Sequence, residues 1–260
     1  MKKNNSSKAL VSTNTRCFVG TSGWDYPHWK RLFYPDELKT ANRLAWYADH
    51  FNSVEINSSF YRLPSESTVM RWRDSVPDSF RISLKAPRTI THYKKLKDAV
   101  VQLINFYRIS SILGHKCGSH LFQLPASFHF DAENLGILAQ FISLLDSGRD
   151  NVFEFRHAGW WNGECFDLLL RHGICFCVVD GYGLPEFVPP GGDIAYFRFH
   201  GTAYGGNYPD SVIRSYARTI ESMTCKRIYA YYNNDAEARA VFNARLLAGL
   251  LDRPSGHHPA

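Results

Sequence analysis

No apolar run in this chain approaches the roughly 20 residues that a membrane-spanning helix needs. The opening segment 1–16 holds Lys2, Lys3, Lys8 and Arg16, no acid, and no apolar block of about 7–15 residues, so a secretory signal is not expected. The six cysteines include no CxxC pair and no zinc-ligand spacing. They are expected to be small buried hydrophobes in a reducing cytoplasm, since Cys175 and Cys177 alternate inside an apolar run. No GxGxxG or Walker-type loop follows the first strand-like run, because Gly20-Thr-Ser-Gly23 is too short and opens no helix. Neither an HExxH zinc motif nor a GxSxG nucleophile elbow occurs. These absences set aside a disulfide scaffold, a Rossmann dinucleotide site and a membrane partner, and they make a cytoplasmic protein the expectation.

What remains is an ordinary globular composition, 45% hydrophobic and 21% charged over 260 residues. That length fits one α/β barrel of about 250 residues. Strand-like runs are Cys17–Thr21, Ser53–Ile56, Phe80–Lys85, Ser119–Leu124, Val152–Phe155, Ile174–Val179, Ile194–Phe199 and Arg227–Tyr232. Helical periodicity lies between most of them, clearest over Ala99–Leu113 and Ala132–Leu145, with Asp131 and Asp235 standing where N-caps belong. Repeated strand–helix alternation demands a parallel sheet covered by helices. The expectation is a TIM-type (β/α) barrel of eight parallel strands and about seven helices. The helix after strand 6 should be missing or very short, because GYGLPEFVPPGGD cannot hold one. A flexible N-terminal tail over 1–16, a single barrel domain over 17–252 and a C-terminal tail over 253–260 complete the plan.

In such a barrel the C-terminal strand ends form the functional face. Those ends read Thr21-Ser22, Glu55 with Asn57, Lys85, Gln123, Glu154 with Arg156 and His157, Asp180, Arg198 with His200, and Asn233-Asn234-Asp235. Strand parity puts Glu55 and Asn57, Glu154 and Arg156, and Arg198 and His200 on faces opposite their apolar neighbours. The charged set should therefore turn toward the barrel axis. Unpaired buried ions cost several kcal/mol each, so the set must neutralise itself or meet a ligand. Following loops are aromatic, with Trp24, Tyr26, Trp29, Tyr61, Tyr93, Trp160, Trp161, Tyr204 and Tyr208, which fits stacking on sugar rings or nucleobases.

The formal net charge is +6, of which the first sixteen residues supply +4. Lys85, Arg88, Lys94, Lys95 and Lys97 fall within thirteen residues with no acid between them, either a solvated loop or an anion site. His92, His157 and His200 with Glu55, Glu154 and Asp180 are ligand-type residues, and oxygen and imidazole donors suit zinc or manganese. Arg156 and Arg198 would repel a cation, so no cofactor is expected and a divalent metal is the minor alternative.

The leading functional expectation is a hydrolase for a phosphorylated or sugar-containing small molecule. Glu55 and Glu154 would be its paired acid and base, one raised in pKa, with Asp180 and His200 as further catalytic candidates. Trp24, Asn57, Tyr61, Lys85, Arg88, His92, Gln123, Arg156, His157, Trp160, Arg198, Asn233, Asn234 and Asp235 would bind substrate. The alternative is a nucleic-acid-binding protein without chemistry, resting on the basic stretch and the aromatic loops.

Several motifs run together: Gly20-Thr-Ser-Gly-Trp24 with Phe33-Tyr-Pro35, VEINSSFYRLP from Val54 to Pro64, Lys85-Ala-Pro-Arg88 to His92, Gln123-Leu-Pro125, EFRHAGWW from Glu154, RFHG from Arg198 and YNND from Tyr232. Over residues 17 to 251 the chain resembles the domain-of-unknown-function family 72, also called YecE-like. That resemblance implies a TIM-type barrel and an uncharacterised activity. It also implies a likeness to the endonuclease IV and sugar-isomerase barrels, from which nucleic-acid binding follows as an expectation. It carries no catalytic residues over.

Overall fold

The computed structural model describes residues 15–185, 192–202 and 206–252. The C-terminal tail over 253–260, Tyr204 and all but two residues of the N-terminal tail lie outside the described residues; Arg16 already opens the first strand. Nine strands follow the chain among the described residues: β1 (Arg16–Thr21), β2 (Ser53–Ile56), β3 (Arg81–Lys85), β4 (Cys117–Gln123), β5 (Asp150–Glu154), β6 (Cys175–Phe176), β7 (Val178–Asp180), β8 (Ile194–Phe199) and β9 (Arg227–Tyr232). Eight α-helices alternate with them: α1 (Arg43–Ala48), α2 (Ser58–Tyr61), α3 (Glu66–Asp74), α4 (Val100–Ser111), α5 (Ala132–Ile142), α6 (Gly163–Arg171), α7 (Asp210–Glu221) and α8 (Arg239–Leu251). None of the described helices is long and apolar enough to cross a membrane.

The closed eight-strand barrel is corrected. The strands form two parallel sheets, one of four in the order β1-β9-β8-β7 and one of five in the order β2-β3-β4-β5-β6. Two local features break the continuous ladder. The run expected as one strand over Ile174–Val179 divides at Cys177, where β6 pairs with β5 and β7 pairs with β8. At the other edge, side chains occupy the β1 amides that β2 would have met. Asn52 Oδ1 accepts from Val19 N at 2.8 Å, and the Tyr47 hydroxyl accepts from Thr21 N at 2.8 Å while donating to the Ser53 carbonyl at 3.1 Å. Between these strands only an isolated bridge, Ser22 to Glu55, is recorded. The helix count of seven is corrected too, because the β2–β3 connection carries both α2 and α3. Between β7 and β8 the described residues 181–185 and 192–193 carry no helix, and 186–191 lie outside the description.

Local chemistry explains the helix starts. Ser65, Asp131 and Asn162 cap α3, α5 and α6 by accepting from Thr68 N, Asn134 N and Cys165 N at 3.3, 2.7 and 3.0 Å. Asp235 does not cap α8; its carboxylate takes the Trp29 indole N–H at 2.7 Å instead. The outward faces of the strands, including Val54, Ile56, Phe153, Phe155, Phe197 and Phe199, join one large apolar cluster with the helices. The inward faces meet one another in a second cluster of Phe18, Leu121, Val152, Tyr196, Tyr229 and Tyr231. At the C-terminal end of that interior the side chains become charged.

Candidate functional site

Arg198 on β8 is the centre of this charged end. It is buried, and its guanidinium joins both sheets: Nη1 donates to Glu154 Oε2 on β5 at 2.7 Å, while Nη2 and Nε donate to Glu55 Oε1 on β2 at 2.7 and 3.2 Å. Glu55, also buried, accepts from the Ser22 hydroxyl at 2.7 Å and from the Tyr196 hydroxyl at 2.5 Å. The second oxygen of buried Glu154 pairs with Arg156. Parity explains the convergence, since each of these residues alternates with an apolar neighbour committed to the helices.

The electrostatics follow from that geometry. Burial pushes the Glu154 carboxyl up, but Arg156 and Arg198 outweigh it and hold the group well below the usual carboxylate range. A general acid with raised pKa is thus not what Glu154 is. His200 stands between two N–H donors, with Nε2 3.2 Å from Arg156 Nη2 and Nδ1 3.1 Å from the Asn233 side-chain nitrogen. Burial first and the Arg198 charge next push His200 down to about 2, so it is neutral at physiological pH. Asn57 lies between, with Oδ1 3.4 Å from Arg198 Nη2.

Lys85, at the end of β3, differs from its neighbours. Its stem is largely buried, its Nζ sits 4.3 Å from the centre of the Phe60 ring, and no hydrogen bond or ion pair ties that amine to another described residue. Burial, then Arg198, push its amine down to about 8. His92 packs edge-on against the same Phe60 ring at 4.8 Å, and burial, Lys85 and Arg156 lower its pKa. The loop bearing Arg88 and His92 is strained: a π-turn spans Thr89–Tyr93, and Lys95, Leu96 and Asp98 all take left-handed φ. Arg88 lies over Tyr61 and Tyr93 at 5.8 and 5.3 Å, and both rings are exposed.

Other candidates stand elsewhere. Asp180 turns toward the helix layer and accepts from the Tyr216 hydroxyl of α7 at 2.7 Å. Trp160 is fully buried, stacked on Phe155 at 4.4 Å, with its indole donating to Phe128 O. His157 Nδ1 accepts from Gly159 N in a tight turn, and Gln123 donates to Leu124 O. Trp24 packs edge-on against Trp72 of α3, buried Asn234 donates to Gly206 O and Asn243, and Asp235 holds Trp29 and His28. The basic stretch is partly neutralised, since Lys97 pairs with Glu133 at 2.8 Å and Lys95 donates to Ser127 O. Among the described residues no three His, Cys, Asp or Glu side chains converge as metal ligands, and all six cysteines are free.

Two neighbours of the site lie outside the sequence-based set. Tyr196 was findable, because it shares the face of Arg198 and His200 on β8. Tyr182, whose ring lies 3.8 Å beneath the Arg156 guanidinium, sits in a Gly-flanked loop that gives no periodic signal.

Comparison with known proteins gives a consistent result. The family described as "Protein of unknown function DUF72" matches residues 18–259. UPF0759 protein YecE of Escherichia coli K12 is 34% identical over 140 residues, which is 54% of this chain and 48% of that protein. The match thus spans about half the length of that relative. UPF0759 protein YunF of Bacillus subtilis is 21% identical over 271 residues, covering 90% of this chain and 94% of its own. The crystal structure of a DUF72 family protein from Thermotoga maritima superposes with a TM-score of 0.81 at 30% identity, over 92% of this chain and 100% of that one.

Proposed function

Because the chain belongs to the DUF72 family of proteins of unknown function, we propose a function from the site itself: the strand-end cluster binds the anionic group of a small substrate, a phosphate above all. One observation carries this reading. Three cations (Lys85, Arg156 and Arg198) face two carboxylates, and Arg198 alone engages both, so Lys85 is left without an acceptor. An anion at the rim would complete the cluster's charge. Lys85 Nζ and Arg156 Nη1, neither hydrogen-bonded to a described residue, supply charged donors, with the His92 ring beside them. Exposed Tyr61 and Tyr182 flank them with flat apolar surface suited to a ring, as in a phosphorylated sugar.

Hydrolysis by a carboxylate pair has less support, because both carboxylates are engaged by guanidinium groups and Glu154 stays ionised. Nucleic-acid binding has less support as well, since the basic stretch spends Lys97 on Glu133. Calorimetric titration of inorganic phosphate at pH 7 tests the anion site. Saturable binding is expected, with Lys85→Met and Arg156→Met each weakening it by about tenfold or more, the worth of a charge-assisted hydrogen bond. Absence of saturable binding by phosphate, sulfate and a phosphorylated sugar, or binding indifferent to both substitutions, would overturn the reading.

A further inference from the structure

Lys85 has the surroundings of a reactive amine rather than a structural cation. A structural lysine in a buried charge cluster faces a carboxylate, and here both nearby carboxylates are already held by arginine. The Lys85 side chain lies along the Phe60 ring, yet its Nζ makes no hydrogen bond and is not sealed from solvent. Burial and the Arg198 charge disfavour protonation of Lys85 and outweigh the pull of Glu154 and Glu55, with Arg156 adding to them as the other nearby cation. Desolvation combined with a neighbouring cation lowers an amine's pKa, so that a neutral, nucleophilic fraction is present just above neutral pH.

We propose that Lys85 forms an imine with an aldehyde or ketone carbonyl of the anionic substrate, an inference that rests on the anion-site reading above. The neutral amine's lone pair attacks the carbonyl carbon, making the new C–N bond. The carbonyl oxygen then departs as water, carrying in net the two hydrogens of the amine, and the C=N bond closes. Nothing is oxidised or reduced, and no co-reactant is needed. The substrate class becomes a small phosphorylated or otherwise anionic carbonyl compound. Burial and Arg198 together bring the Lys85 amine to about 8, so a large fraction is neutral at pH 8 where an ordinary lysine is almost wholly protonated.

Trapping with sodium cyanoborohydride at pH 8, using pyridoxal 5′-phosphate as an anionic aldehyde and pyridoxal as its uncharged counterpart, followed by peptide mass mapping of the full chain, tests the proposal. The expected result is Lys85 labelled about tenfold faster than exposed Lys39, Lys97 or Lys226. Inorganic phosphate should slow the phosphorylated probe, and Lys85→Arg should abolish that adduct while the others persist. Lys85 unlabelled by either aldehyde while the surface lysines react would overturn it. Phosphate binding in calorimetry with Lys85 unlabelled would sink the imine and leave the anion site standing. Pyridoxal labelling of Lys85 without any phosphate binding would do the reverse.

Discussion

A guanidinium removed from water is tolerable only when its donors are matched, and Arg198 meets that demand with three carboxylate contacts and the Asn57 oxygen. Arg198→Met should therefore leave buried Glu55 without a cation and Glu154 with Arg156 alone, and cost about 3–5 kcal/mol in urea unfolding. Arg198→Lys should recover only a minor part, because one ammonium cannot span two acids held on different strands. Lys85 gives the opposite prediction. A lysine brought from 10.5 to about 8 is destabilising at pH 7, where both folded and unfolded chains carry the proton but the folded one holds it in a poor environment. Lys85→Met is expected to raise stability at pH 7 by up to about 3 kcal/mol while weakening phosphate binding by about tenfold or more. A loss of stability would place Lys85 among the structural ions.

At the scale of elements, the β1–β2 edge shows how a side chain can stand in for a ladder. The Tyr47 hydroxyl takes the Thr21 N–H and reaches the Ser53 carbonyl, and a Cβ at Gly20 would collide with that same carbonyl oxygen. Tyr47→Phe should cost about 1–3 kcal/mol by orphaning the Thr21 amide. It should also speed hydrogen exchange there, with the β3–β4 amides unaffected. Unchanged exchange at Thr21 would show that the hydroxyl is dispensable. This edge also marks what sequence pattern can and cannot reveal. Alternation and apolar runs disclose the strands, and parity brings Glu55, Glu154, Arg156, Arg198 and His200 to one face. Nothing in the pattern discloses that Asn52 and Tyr47 would occupy β1 amides, or that Cys177 would divide a continuous apolar run into β6 and β7. Parity carries one or two residues past a strand end, as at Arg156 and His200, and fades in the turns that follow, where His157, Trp160 and Asn234 engage turn and core partners.

The molecule as a whole should carry the signature of its charged end in its pH profile. Glu154 has a folded pKa below its unfolded value, so its contribution is present above about 4.3 and is lost as pH falls through the folded value. For Lys85 the unfolded chain binds the extra proton between about 8 and 10.5, so its contribution makes stability rise with pH across that window. Thermal unfolding from pH 7 to 10 should show that rise in the wild type and not in Lys85→Met; identical slopes would reject the assignment. Arg198 adds a mechanical consequence. It stems from the four-stranded sheet and grips acids rooted in the five-stranded one, so it works as a tie-rod across the gap between the halves. A dianion bound at the rim, as proposed above, would compete for that rod and slacken it. Occupancy at the mouth and stiffness of the wall would then be one property, and a bound guest would be felt on both halves at once.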